Sequence, residues 1–412
     1  MPRRILRSAL FTVYSVVFGW LLAFLSIELF PAVLNIIPLQ QIKYYALKKE
    51  YVSDPALVFT YRQTNYTYRK SLMGDLYSTG YGIPAEPVRY VASYNEDGFR
   101  KNSSQAPYSI AVIGDSYIEF GESDANTFTE LLKVESGLSV LNIGRGWYGP
   151  YQYLELLRRY ALAVKPKYVF FAFFSGNDFN DITEYEAWRA GGQYYFYRNL
   201  DNQNVVSRFA LATGDVVRYL KFRIKGLLGH ETARRVDRSF LGLIRIGSEK
   251  VPMVLPRWET EVTIQQLTAI NSIVSEFNSI CHEHGIVPVL IYIPTATQVY
   301  GRLHSKDSNS HFIERVRSAP DNPSLQAVAS LAAELDMDFI NLLPVFQEKA
   351  DEGNLLYYPF DTHWNLEGRR TAAAFVASYL HRKDIGFDRT SSASRKLPAG
   401  SKRAGNSGFE LG

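Results

Sequence analysis

Cysteine is nearly missing from this chain. Cys281 is the one thiol among 412 residues, which excludes an intrachain disulfide and a thiolate metal cage. An exported domain without disulfides must be held by its core, which is feasible at this length. Strong charge of either sign is lacking too: 45 Lys and Arg against 41 Asp and Glu leave a formal net charge of +4. No basic block interleaved with aromatics, zinc-finger spacing or RNA-binding signature accompanies it, so no nucleic-acid partner is expected. No internal repeat is visible. What the chain does have is apolar mass. With 46% hydrophobic and 21% charged residues, global disorder is excluded and one large domain or two ordinary ones are allowed.

The N-terminus carries the longest uncharged run, which includes the 19 residues from Ala9 to Ile27, behind Arg3, Arg4 and Arg7. As a helix it spans about 29 Å, close to the roughly 30 Å hydrocarbon core of a bilayer. It exceeds the h-region of a cleaved signal, the competing reading, and no A-x-A site follows at once. The expectation is a single-pass signal anchor over 9–30, with residues 1–8 cytoplasmic and the remainder on the periplasmic or extracellular side. Lys43, Lys48 and Lys49 weaken the charge contrast behind that orientation.

Residues 31–107 read as a juxtamembrane segment (Phe30 to Pro38) and a tyrosine-rich extension of short strands and turns packed on the domain that follows. That domain is expected over 108–385. Apolar strands at Ser109–Gly114, Leu138–Gly144, Tyr168–Phe174, Ile286–Pro294 and Asp338–Leu343 alternate with amphipathic helices at Thr127–Gly137, Pro150–Pro166, Thr263–Glu283, Pro323–Met337 and Leu366–His381. Five strands separated by helices imply parallel pairing and a three-layer α/β domain. An insertion interrupts the alternation at about 184–257, and residues 386–412 read as a disordered tail. Within the insertion Val217, Leu220 and Ile224 share a helix face, with Arg218, Lys221, Arg223 and Lys225 interspersed. Such a helix either lies on an anionic membrane surface or packs on its own domain.

Chemistry-bearing residues collect at the carboxyl ends of these strands, where open parallel sheets bind ligands. Strand one runs into G-D-S-Y, with Ser116 at the turn. Strand two is followed by the glycine-rich Asn142–Pro150 loop, strand three by S-G-N-D (Ser175–Asp178), and strand five by Tyr357–Gly368 with Asp361 and His363 two apart. Residues i and i+2 of an extended segment point the same way, so one short loop can aim a carboxylate and an imidazole together. Blander roles suit other polar residues. Asp115 and Asp178 read as helix caps or loop braces and Asn142 as a local tie. His282 and His284 end a helix, where histidine favours the dipole. His230, His304, His311 and His381 lack a partner pattern.

Each tripeptide is a weak signal. Together, in this order and on these elements, G-D-S, the glycine loop, G-N-D and D-T-H-W-N resemble the sequence blocks of the SGNH (GDSL) esterases and acyltransferases, from roughly Tyr108 to Leu380 outside the insertion. The D-x-H-W-N form is most similar to the membrane-linked branch that contains polysaccharide O-acetyltransferases. The resemblance implies a flavodoxin-like, five-stranded parallel sheet. It makes Ser116 the nucleophile, His363 the base and Asp361 the residue that holds the imidazole. The oxyanion donors would be the Ser116 N–H, the N–H of Gly146 or Trp147, and the Asn177 amide. Trp147 stands where the family's second-block glycine falls, Ser175 replaces the third-block glycine, and the acid precedes His363 by two residues rather than three. The implied substrate is an acyl ester, hydrolysed through an acyl-serine, with no cofactor or metal. Acetyl transfer to or from a polysaccharide is the alternative, and a non-catalytic glycan-binding envelope protein the rival from another class.

Overall fold

Helix α1 (Pro2–Leu29) opens the chain, and its Leu10–Glu28 stretch is long and apolar enough to cross a membrane. The computed structural model describes residues 2–29, 50–61, 63–78, 81–192, 194, 204–227, 238–256, 262–317 and 323–383. The juxtamembrane run, His230 and the tail from 386 lie outside them. The extension forms two antiparallel pairs, β1 (Tyr51–Asp54) with β2 (Val58–Tyr61) and β3 (Thr67–Leu72) with β4 (Val88–Ser93).

Beyond it come β5 (Ile110–Gly114), β6 (Val140–Gly144), β7 (Tyr168–Phe174), the hairpin β8 (Leu241–Ile246) and β9 (Glu249–Val254), then β10 (Val287–Ile293) and β11 (Asp338–Asn341). Strands β6, β5, β7, β10 and β11 lie side by side in that order, every pair parallel. Counted by chain position the order is 2-1-3-4-5, the flavodoxin-like arrangement, and its direction reverses between β5 and β7.

Alternation along each strand sorts the core onto two faces. Ile110, Val112, Phe170, Ala172, Val289 and Ile291 pack against α3 (Phe128–Ser136) and a C-terminal helix at residues 366–382; Ala111, Ile113, Val169, Phe171 and Leu290 pack against helices on the other face. The second layer consists of α4 (Pro150–Leu156), α5 (Asp178–Arg189), a long helix at residues 264–283 and another at residues 323–334. All seven residues of β7 are buried, which explains its unbroken apolar run. At about 1.5–3 kcal/mol per buried large side chain, these layers replace disulfides as the source of stability. Local signals agree with the packing: Thr127 caps α3 by accepting from Glu130 N at 3.3 Å, and Gly137 closes it at φ 72°.

The stretch 184–257 has two destinations. Helix α6 (Val205–Leu227) leaves the sheet and meets α1: Trp20 Nε1 donates to Thr213 Oγ1 at 2.8 Å, Arg208 pairs with Glu28 at 2.9 Å, and Phe24 meets Phe209 edge-on at 5.3 Å. Val217, Leu220 and Ile224 stay exposed on its other side. Hairpin β8–β9 instead sinks Ile244, Ile246 and Met253 into the core.

Longer helices later in the chain are α7 (Ile264–Glu283), α8 (Pro323–Glu334) and α9 (Leu366–Arg382), with shorter ones at Ala296–Tyr300, Ser310–Arg317 and Leu343–Asp351. Arg369 of α9 is fully buried; it donates to the Trp364 carbonyl at 2.9 Å and pairs with Glu122. Arg369→Ala strips both partners, so a loss on the order of 3 kcal/mol is expected, read as a lower denaturant midpoint at unchanged m-value.

Candidate active site

The switch point between β5 and β7 is where the chemistry gathers. Gly114 ends β5, and α2 (Ser116–Glu119) begins at once, capped by Asp115 Oδ1, which accepts from Tyr117 N at 2.8 Å. Gly144 makes this turn possible, since a Cβ there would lie 2.6 Å from the Glu119 backbone nitrogen. Asn142 ties the same corner: its Oδ1 accepts from Gly144 N, and its Nδ2 donates to Ile118 O, each at 2.9 Å. Asp178 braces the loop after β7, accepting from Tyr153 Oη and Phe174 N, both at 2.9 Å. Burial pushes the Asp115 carboxyl up to about 6 and Asp178 well above its usual range. Both act as props.

His363 Nε2 lies 2.8 Å from Ser116 Oγ, and His363 Nδ1 lies 2.5 Å from Asp361 Oδ1. The His363 backbone N–H also donates to Asp361 Oδ1, at 3.0 Å, so the two-residue spacing is held by its own turn. Phe120 stacks on the imidazole at 4.6 Å, and the Tyr117 hydroxyl donates to Thr362 O, joining α2 to the histidine loop. The two segments are 247 residues apart in the chain. Burial disfavours charge on His363, but Asp361 first, then Asp75 and Asp115, outweigh it and raise the imidazole to about 9. Burial likewise works to raise Asp361, and the facing His363 wins, holding the carboxyl below its usual range. An imidazole bonded on one side to a hydroxyl and on the other to a carboxylate is equipped to take the hydroxyl proton.

Asp75 is the participant that sequence reasoning missed. It comes from the extension, accepting from Thr362 N at 2.8 Å and Thr362 Oγ1 at 2.7 Å, while its own N–H donates to Asp361 Oδ2 at 3.2 Å. Gly74 allows this approach, because its φ is +100° and a Cβ would lie 2.1 Å from Phe360 O. A lone aspartate after Met73-Gly74 offers no periodicity or motif, so no local signal marked it. Asp75, Asp361 and His363 keep their ligand atoms within 4.8 Å of one another, a spacing open to a cation. Here those atoms are spent on Thr362 and on each other. Asp75→Ala is expected to lower kcat about tenfold at unchanged KM, and to move the acid limb of the pH profile to lower pH by removing a carboxylate that raises His363. Asp75→Asn should retain part of the rate.

The four expected oxyanion donors are placed less uniformly. Ser116 and Gly146 face each other across the mouth of a cleft, but Gly146 N–H donates to the Glu119 carboxylate. Trp147 has φ +68°, its carbonyl accepts from Tyr194 Oη at 2.8 Å, and its side chain is 51% exposed on the cleft wall. Asn177 Nδ2 donates to Asp181 Oδ2 at 2.6 Å. The cleft holds about 610 Å³, and six tyrosines of the extension line it: Tyr51, Tyr61, Tyr66, Tyr68, Tyr90 and Tyr94. His282, His311 and His381 are exposed, and His284, also exposed, sets Nδ1 2.8 Å from Ile280 O, away from the cleft.

Residues 256–404, a little over a third of the chain, match the family model described as "SGNH hydrolase-like domain, acetyltransferase AlgX". No curated protein matches the chain. Solved structures similar to it include a GDSL-like lipase from Bacteroides thetaiotaomicron (11% identity, 67% of this chain and 89% of that one, TM-score 0.33). A lipase/acylhydrolase from Enterococcus faecalis is similar at 12% identity, over 66% and 96%, TM-score 0.33. An acetylxylan esterase from Geobacillus stearothermophilus is similar at 11% identity, over 68% and 94%, TM-score 0.34. The five-stranded parallel sheet in the order 2-1-3-4-5 defines the class as a flavodoxin-like α/β protein, and its C-terminal third is similar to the SGNH hydrolase-like domain family.

Proposed function

We infer that the chain is a serine-dependent ester-bond enzyme, anchored by α1 with its catalytic domain outside the cytoplasmic membrane. The observation that carries this reading is the unbroken line from Ser116 Oγ through His363 to Asp361, at 2.8 and 2.5 Å. Ser116 Oγ attacks the acyl carbonyl as its proton passes to His363 Nε2. The tetrahedral intermediate collapses, the C–O bond of the ester breaks, and the departing alcohol takes that proton. An acyl-Ser116 remains. Water, deprotonated by His363, then releases the acid and restores the serine. Asp361 holds the Nδ1–H tautomer and stabilises the imidazolium. Ser116 N–H, the glycine-loop N–H groups and the Asn177 amide are the donors proposed for the oxyanion.

A second reading shares the first half-reaction and replaces water with a saccharide hydroxyl. The tyrosine-lined cleft of about 610 Å³ leaves room for a saccharide beside the acyl group, as ester substrate in the first reading or as acceptor in the second. A non-catalytic glycan binder would not require the connected serine, imidazole and carboxylate. The test offers the purified chain an acetyl ester with and without saccharide. Free acetate alone supports hydrolysis, and acetylated saccharide supports transfer. A fluorophosphonate probe that fails to label Ser116 would overturn both.

A further inference from the structure

Glu119 stands three residues after Ser116 on α2, so its side chain comes back to the same mouth of the cleft. Its carboxylate accepts the Gly146 N–H, and the Tyr94 hydroxyl hydrogen-bonds it. The residue is only 8% exposed, yet it lines the cleft with Ser116 and His363. A Cβ placed on Gly146 would sit 3.0 Å from Glu119 Oε2 and 3.6 Å from Ser116 Cβ, so carboxylate, loop N–H and nucleophile share one small volume. In the triad reading, on which this inference rests, Gly146 N–H is a donor for the developing oxyanion. An acyl oxygen bound there needs the place that the Glu119 oxygen holds, and two negative oxygens cannot share one donor in a site shielded from water.

We propose that Glu119 is an internal occupant of the oxyanion site, a carboxylate that must swing off Gly146 N–H before the ester carbonyl can bind, so that it sets the rate of acyl transfer. Glu119 lines the cleft, so the proposed movement turns its side chain into that space while α2 stays in place. Glu119 is thus a positioning and gating residue: its removal speeds the reaction.

The test uses the full chain and p-nitrophenyl acetate. Glu119→Ala is expected to raise kcat/KM about tenfold and to make the enzyme sensitive to millimolar formate, which re-enters the vacated position; the wild type should be indifferent to formate. Glu119→Gln keeps the volume and an acceptor for Gly146 but no charge, and should fall between the two. It also serves if the alanine variant does not fold. The labelling rate of Ser116 by a fluorophosphonate, whose phosphoryl oxygen uses the same donors, should rise in parallel. Equal or lower turnover and labelling in folded variants, or formate insensitivity, overturns the proposal. Failure of the wild type to be labelled at all would instead overturn the triad reading.

Discussion

Ser116→Ala is expected to reduce acetyl-ester turnover by about 10⁴- to 10⁶-fold while leaving the melting temperature within a couple of degrees. The hydroxyl gives one hydrogen bond, to His363 Nε2, and no apolar packing, so its removal costs chemistry and little else. The loss should not compound. His363→Ala alone should cost as much, and the double variant no more, because hydroxyl and imidazole act as one unit. Residual activity would come from whatever oxyanion donors remain. Unchanged turnover in a folded Ser116→Ala protein would end the nucleophile assignment.

Asp361→Asn should bring a fall of about 10⁴ in kcat, since an amide opposite Nδ1 favours the wrong imidazole tautomer. It carries a second signature. His363 acts as base only when neutral, and Asp361 contributes most to raising it to about 9. Wild-type kcat/KM is therefore expected to climb with pH and level off above about 9, whereas the acid limb of Asp361→Asn should lie nearer the ordinary histidine value of roughly 6.5. A limb that stays put in the variant would contradict the assigned cause. Stability runs the opposite way. The raised imidazole stabilises the fold fully below about pH 6.5, and that share drains away as pH passes 9. Thermal midpoints should thus decline over this window, and decline less in His363→Ala.

Much of the central sheet was legible because most of its strands are short apolar runs and several of its helices announce their ends. Thr127 and Gly137 bracket α3, Pro150 opens α4, and Thr263 with Gln266 starts α7 through a capping box. Ser116, Asp361 and His363 were legible for another reason. The two-residue spacing of Asp361 and His363 and the strand-end position of Ser116 are properties of the chain, and the structure brings the three within hydrogen-bonding distance. The destinations of residues 184–257 were not: periodicity shows that a segment has an apolar face but not which face it meets. Helix α6 turned toward α1, and hairpin β8–β9 went to the core.

The order of elements, the sheet class and the spacing that aims Asp361 and His363 together were thus determined by local pattern, where spacing along the backbone governs direction. Tertiary structure alone decided that Asp75, 286 residues from Asp361, would brace the histidine turn, that six tyrosines of the extension would wall the cleft, and that Glu119 would take the Gly146 N–H. Such contacts join segments with no shared periodicity, and their energy exists only once the sheet has set the distance between them.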